Sequence, residues 1–397
     1  MTLSRWGSGF PGSPELGAGE VIAPRGELAD RLPCMNAREE PRPPGAPTGH
    51  VSVVHLPNAW FILCASRELG SKPLARTLQG TPLVLFRGEG GKPAALVDRC
   101  PHRNVPLSLG RVNEGQLQCG YHGWRFDTEG QCRAIPGFLG EPGARARCVT
   151  AYATREQDGF VWVYSTPGAV PTTEPFRFPL LEAREYLTVR RILRAPGSLH
   201  STLENTLDVP HTAYLHGGLF RTEEKRNEID VVVRRSADKV EAEYLGEPRP
   251  SGIVGKLLAP GGGVVQHFDR FLMPSIAQVE YRIGEGSHIL VTSAMTPVSD
   301  WDTLVYAVVT FRLPLPHWLM RAVLPLAMPV ALHIFSQDVR ILKLQTETIR
   351  RFGSETYAST EIDVLGPGIL RLLRAAEKEK PGAVGDVVHE TRLKMRT

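Results

Sequence analysis

Residues 100 to 124 read CPHRNVPLSLGRVNEGQLQCGYHGW, so Cys100-x-His102 is followed, with sixteen residues between, by Cys119-x-x-His122. Nothing else in the chain constrains the fold as tightly, because two separated loops must deliver four metal-seeking side chains to one place. A structural zinc site is one solution. Zinc fingers, however, usually pair Cys with Cys and His with His, with a helix carrying the histidines. Here each pair mixes the two types, and each lies between strand-like segments. That pattern suits a 2Fe-2S cluster in which one iron takes both cysteines and the other both histidines. Neutral imidazoles in place of two thiolates raise the reduction potential to roughly −150 to +300 mV, against about −400 mV for the all-cysteine type. Pro101 and Gly120 permit tight loops, and Trp124 is placed to shield the site from water.

The flanking sequence predicts a small all-β domain over residues 50–166. TPLVLF and PAALVD bracket the turn RGEGGK, GWRF and QCRAI bracket DTEG, and GFVWVYS closes the run. Residues 167–180, rich in proline, read as a linker. From 181 to 385 the strand-like IDVVVRR, HILVTSAM and TLVYAVVTFRL alternate with helical patterns at 201–216 and 330–352. The expected class is therefore α+β, an all-β domain followed by an α+β domain whose antiparallel sheet is flanked by helices. Residues 1–49 are Gly/Pro-rich without a secretory core and read as a disordered extension, with Met35 a second plausible start.

At 397 residues, 42% hydrophobic, 22% charged and net +4, the chain can bury a sizeable core, and it carries no basic block or basic-aromatic stripe that would suggest nucleic acid. Six irregularly spaced cysteines are too few for a disulfide scaffold, which suggests a cytoplasmic protein whose Cys34, Cys64, Cys132 and Cys148 are spare, mainly buried thiols. The segment LPLPHWLMRAVLPLAMPVALHIF, 313 to 335, has a single formal charge, Arg321, and four prolines. It reads as a buried helix or a lid beside an apolar pocket rather than a membrane span, with a patch resting on a bilayer as a further option.

A second constellation lies in LENTLDVPHTAYLHGG, 203 to 218. Asp208 and His211, three apart, share one face of a helix. His216, five further on, is turned by about 140 degrees, so the helix must deform or end before it joins them, and Gly217-Gly218 is a plausible stop. Spacing alone leaves two ordinary histidines as good a reading as a metal site.

The C-x-H and C-x-x-H loops at Cys100, His102, Cys119 and His122 resemble the Rieske 2Fe-2S domain. With Asp208, His211 and His216 downstream, the whole chain resembles the catalytic subunits of Rieske non-heme iron oxygenases. That resemblance implies a mononuclear Fe(II) held by His211 and His216 together with Asp338 from FSQDVRILKLQ, with nearby Glu347 as the competing carboxylate; such a facial triad leaves three positions open. It implies that Asp208 links His211 to a Rieske histidine, His102 or His122, across the interface of a head-to-tail homotrimer. It further implies dioxygen as co-substrate and electrons from NAD(P)H through a separate flavin reductase or ferredoxin, because no G-x-G-x-x-G opens a helix and no ferredoxin cysteine run exists.

The apolar segment before Asp338, and SGIVGKLLAPGGGVVQHF as a flexible entrance, suggest a large lipophilic substrate. The chain is similar to bacterial Rieske enzymes of sterol C-4 demethylation and, more loosely, to steroid hydroxylases, which implies a sterol or polycyclic terpenoid oxidised at a methyl group. An aromatic-ring hydroxylating oxygenase and a non-catalytic Rieske electron carrier are the alternatives.

Overall fold

The computed structural model describes residues 53, 55–216, 227–248, 263–284, 286–378 and 388–396. The extension 1–49, Gly217-Gly218 and most of the expected entrance segment lie outside them.

Three small antiparallel sheets form the N-terminal part. Strands β1 (Trp60–Ala65), β10 (Thr154–Gln157) and β11 (Phe160–Tyr164) make one sheet in the order β1-β11-β10. Strands β2 (Leu74–Leu78), β3 (Thr81–Arg87), β4 (Pro93–Val97) and β9 (Ala151–Tyr152) make a second, and β5 (Arg111–Asn113), β6 (Gln116–Gln118), β7 (Arg125–Phe126) and β8 (Cys132–Ala134) a third. Every side chain of β11 is buried, because a strand paired on both edges has its two faces claimed by different neighbours. Val161 and Val163 enter the main core, whereas Phe160, Trp162 and Tyr164 point the other way.

That second set packs against the C-terminal part, an eight-stranded antiparallel sheet in the order β12 (Leu187–Ala195), β18 (Asp302–Arg312), β17 (Ser287–Ser299), β16 (Ile276–Ile283), β15 (Val265–Leu272), β14 (Lys239–Leu245), β13 (Glu228–Arg235), β19 (His389–Arg396). Period-two alternation gives the sheet two different faces. On the outer face Ile276, Ala294, Tyr306 and Val308 meet Trp60, Ile62, Phe160 and Trp162. On the inner face Phe271, Ala277, Met295 and Val305, on one face of four neighbouring strands, receive Leu199, Leu203 and Leu207 of helix α1 (Leu199–Leu207). The segment between the two parts is irregular but pinned: Trp60 Nε1 donates to the Thr173 carbonyl at 2.8 Å, and Phe178 is buried among the aromatic residues.

Two helices depart from expectation. The helix expected over 201–216 is two: α1 stops at Asp208, whose φ of −91° and ψ of 111° are extended, and one short turn, α2 (Thr212–Leu215), follows. Pro210 is the cause, since it lacks an N–H and pushes Val209 out of the helical region. Helix α3 begins earlier than the expected 330 and runs the 36 residues His317–Phe352. Its first half is not a buried helix: Met320 is covered, but Trp318 is 70% exposed and Val330 and Leu332 also face out. Gly353, at φ 69°, ends it with an N–H to the Ile349 carbonyl. Helix α4 (Gly366–Glu377) packs on α1. No helix among the described residues is long and apolar enough to cross a membrane.

Candidate metal centres

The first centre lies in two loops of the N-terminal part that have the same backbone design. The Cys100 N–H donates to the Val105 carbonyl at 2.9 Å, and Asn104 donates back to the Cys100 carbonyl at 2.9 Å. In the second loop Cys119 donates to Trp124 at 2.8 Å and Gly123 back to Cys119 at 3.1 Å. Each loop closes through a left-handed residue, Asn104 at φ 60° and Gly123 at φ 72°. The glycine that supplies the turn is thus Gly123. Gly120 instead permits close approach, because a Cβ there would stand 3.1 Å from the Leu109 carbonyl oxygen.

These loops bring all four expected ligands together. Cys100 and Cys119 are buried, unbridged and in contact, and burial pushes the Cys100 thiol up to about 11, the neighbouring Cys119 adding to it. The His102 and His122 rings lie 4.5 Å apart, His102 stacks on Trp124 at 4.7 Å with planes 6° apart, and Tyr121 covers His122 at 3.8 Å. Desolvation, then Arg103 and His122, hold the His102 imidazole below its ordinary value. His102 Nδ1 is buried with no hydrogen-bond partner. A buried polar atom without a partner is costly, and a metal ion would complete it. Two adjacent thiols beside two adjacent imidazoles fit a Rieske-type 2Fe-2S cluster in donor chemistry.

The second centre forms where the turn after α1 meets α3. His211 Nε2 and His216 Nε2 are 3.3 Å apart, and Asp338 Oδ1 lies 3.5 Å from the first and 3.2 Å from the second. Three donor atoms at these separations are close enough together that one ion about 2 Å from each would fit between them. Asp338 Oδ1 is buried and has no hydrogen-bond donor, as expected of an oxygen that accepts a cation. His211, His216 and Asp338 are the one such group of three among the described residues. Glu347, exposed and paired with Lys343, is elsewhere on α3.

Both histidines are set to offer Nε2. His211 Nδ1 faces Asp208 Oδ2 at 3.2 Å, and the same oxygen accepts the His211 backbone N–H. Burial would lower the His211 imidazole, but the neighbouring Asp208 and Asp338 carboxylates outweigh it and hold it up at about 9. The pocket therefore favours a positive charge at Nε2, a proton or a metal. His216, 2% exposed, donates from Nδ1 to Gln337 Oε1 at 2.8 Å. Gln337 was not singled out from sequence; its one signal there is adjacency to Asp338. Asp208 contacts His211, while its contact to a Rieske histidine is not made within one chain.

On the inner face beyond α1, the in-register residues Val279, Tyr281, Ile289, Val291, Val309 and Phe311 are half-exposed, whereas Phe271, Ala277, Met295 and Val305 on the same strands are buried. An apolar floor is thus only partly covered on the side of the sheet that carries the helices of the second centre.

Comparison with known families matches residues 59–141 to the Rieske [2Fe-2S] domain and residues 197–379 to the vanillate O-demethylase oxygenase C-terminal domain. The chain is 30% identical to the oxygenase component of dicamba O-demethylase from Stenotrophomonas maltophilia over 296 residues, 73% of this chain and 74% of that protein. It is 35% identical to the vanillate O-demethylase oxygenase subunit of a Pseudomonas species over 191 residues, 46% of this chain and 51% of that protein. The crystal structure of dicamba monooxygenase bound to 3,6-dichlorosalicylic acid superposes with a TM-score of 0.68 at 25% identity, covering 82% of this chain and 99% of that one.

Proposed function

This chain belongs to the Rieske non-heme iron oxygenases, which are oxidoreductases, and from that premise we propose that it O-demethylates an aromatic methyl ether. Two observations support the aromatic reading over the sterol expected from sequence. The half-exposed floor of Val279, Tyr281, Ile289, Val291, Val309 and Phe311 suits a flat apolar ring, and a relative matched over 296 residues is named for demethylating dicamba.

In this reading Cys100, Cys119, His102 and His122 hold the cluster, and His211, His216 and Asp338 hold Fe(II). Together the two groups supply stored electrons and an open site for dioxygen. The overall change is aryl methyl ether plus dioxygen, two electrons and two protons to phenol, formaldehyde and water. Electrons come from NAD(P)H through a ferredoxin or flavin reductase. The protein's part is to position and exclude. Asp208 and Gln337 fix the two histidines with Nε2 inward, the apolar floor holds the ring, and Trp124 covers His102 from water. Asp208 would also accept from His102 or His122 of a neighbouring subunit in a homotrimer, which gives its free carboxylate capacity a use.

The test is anaerobic purification with about three irons and two sulfides per chain, followed by single turnover of the reduced protein with methoxyarenes and assay of formaldehyde. Stoichiometric formaldehyde from an arene, lost in His211→Ala while the cluster spectrum persists, is the expected result. Turnover of sterols with none of arenes would overturn the substrate assignment. Formaldehyde production undiminished by His211→Ala would overturn the site.

A further inference from the structure

The first half of α3 presents an outward stripe that the oxygenase reading does not use. Trp318, Ala322, Pro325, Pro329 and Leu332 recur at alternating steps of four and three residues, so they lie on one side of the helix, and all five are exposed. Further along the same side the stripe becomes polar, with Ser336, Arg340, Lys343 and Glu347. An ordinary solvated helix face looks like that second half. The first half is apolar, and from Leu313 to Gln337 the sequence has no acidic residue while it carries His317, Arg321 and His333.

We infer that this stripe is the surface on which the chain rests against an anionic lipid bilayer. Three features favour a lipid surface over a second protein. An acid-free apolar face whose one formal charge is the exposed Arg321 complements anionic headgroups. Trp318, 70% exposed at the start of the helix, is a residue type suited to the headgroup level. Pro325 and Pro329 lack N–H groups, so the carbonyls of Arg321 and Pro325 lose the donors a regular helix would give them. Water among headgroups can satisfy those carbonyls, whereas a dry helix-to-helix seam would bury them. The helix then lies in the interface with its apolar side at the acyl boundary, and Asp338, carried on the same helix, faces away from the lipid toward the second metal centre.

The experiment uses the full chain with both metal sites loaded. It is floated with vesicles of phosphatidylcholine alone and of phosphatidylcholine with phosphatidylglycerol. The wild type is expected to float with the anionic vesicles, less with the neutral ones, and less as salt rises. Trp318→Glu/Leu332→Glu should lower partitioning at least about tenfold with the cluster absorption unchanged, and the milder Arg321→Gln by about fivefold. Failure of the wild type to float with anionic vesicles would overturn the inference, as would flotation indifferent to both variants. Loss of self-association in the variants, with no vesicle binding in the wild type, would assign the stripe to a second copy instead.

Discussion

Gln337→Leu isolates what one hydrogen bond does for the second metal centre. His216 is almost wholly buried, and its Nδ1–H is accepted by Gln337 Oε1 at 2.8 Å. That bond selects the tautomer whose Nε2 carries a lone pair. With leucine at 337 the N–H has lost its buried acceptor, a penalty of about 1–3 kcal/mol. The imidazole escapes by moving its proton to Nε2, where Asp338 Oδ1 waits at 3.2 Å. That proton occupies the position the metal needs. Fe(II) affinity should therefore fall by about 10–100-fold, which at 1.4 kcal/mol per tenfold spans the middle and upper part of that penalty. The assay is anaerobic titration of Fe(II) or Co(II) into protein stripped of its second-site metal, with the cluster spectrum as the control for folding. Gln337→Glu keeps an acceptor and should bind at least as tightly as the wild type. A leucine variant within twofold of the wild type would refute the reasoning, since neither the tautomer nor the bond would then matter.

Two further outcomes follow from buried groups elsewhere. His267 lies between Tyr244 and Tyr281 on the inner face; burial would lower it, but Asp269 and Glu247 raise it to about 9. Because the folded value exceeds the unfolded one, its stabilisation is complete below about pH 6.5 and is lost as pH rises through 9. Thermal melts of wild type and His267→Gln should accordingly converge between pH 6.5 and 9, and a gap that stays constant would refute the charge assignment. Gly130→Ala should destabilise the N-terminal part by about 2 kcal/mol or more, because φ is +77° and a Cβ would stand 1.9 Å from the Val149 carbonyl oxygen. Denaturant unfolding followed by cluster absorbance reads it, and an unchanged midpoint would contradict it.

The first centre was legible because each of its two loops is local. Cys100 to Val105 and Cys119 to Trp124 close on themselves through hydrogen bonds within six residues, so spacing carries the geometry. Even there the turn-forming glycine was misplaced, at 120 in place of 123, since conformation at a loop residue depends on where both ends are held. The second centre was legible only in part. The pattern around Asp208, His211 and His216 is local, but the helix assumed to join them is broken by Pro210.

What the sequence determined alone was donor chemistry: which side chains are thiol, imidazole or carboxylate, and which of them share a turn. It also determined the alternation that makes strands two-faced, because that depends only on a residue and its near neighbours. The tertiary structure decided everything that joins distant residues. It set Asp338 against His211 and His216 and placed Gln337 on His216 across 121 residues. It left the floor of Val279, Val291 and Val309 only partly covered beyond α1, and it turned Trp318 and Leu332 outward when composition suggested burial. An apolar side chain records that it avoids water; which neighbour covers it, or whether one does, is fixed only when the helices are laid on the sheet.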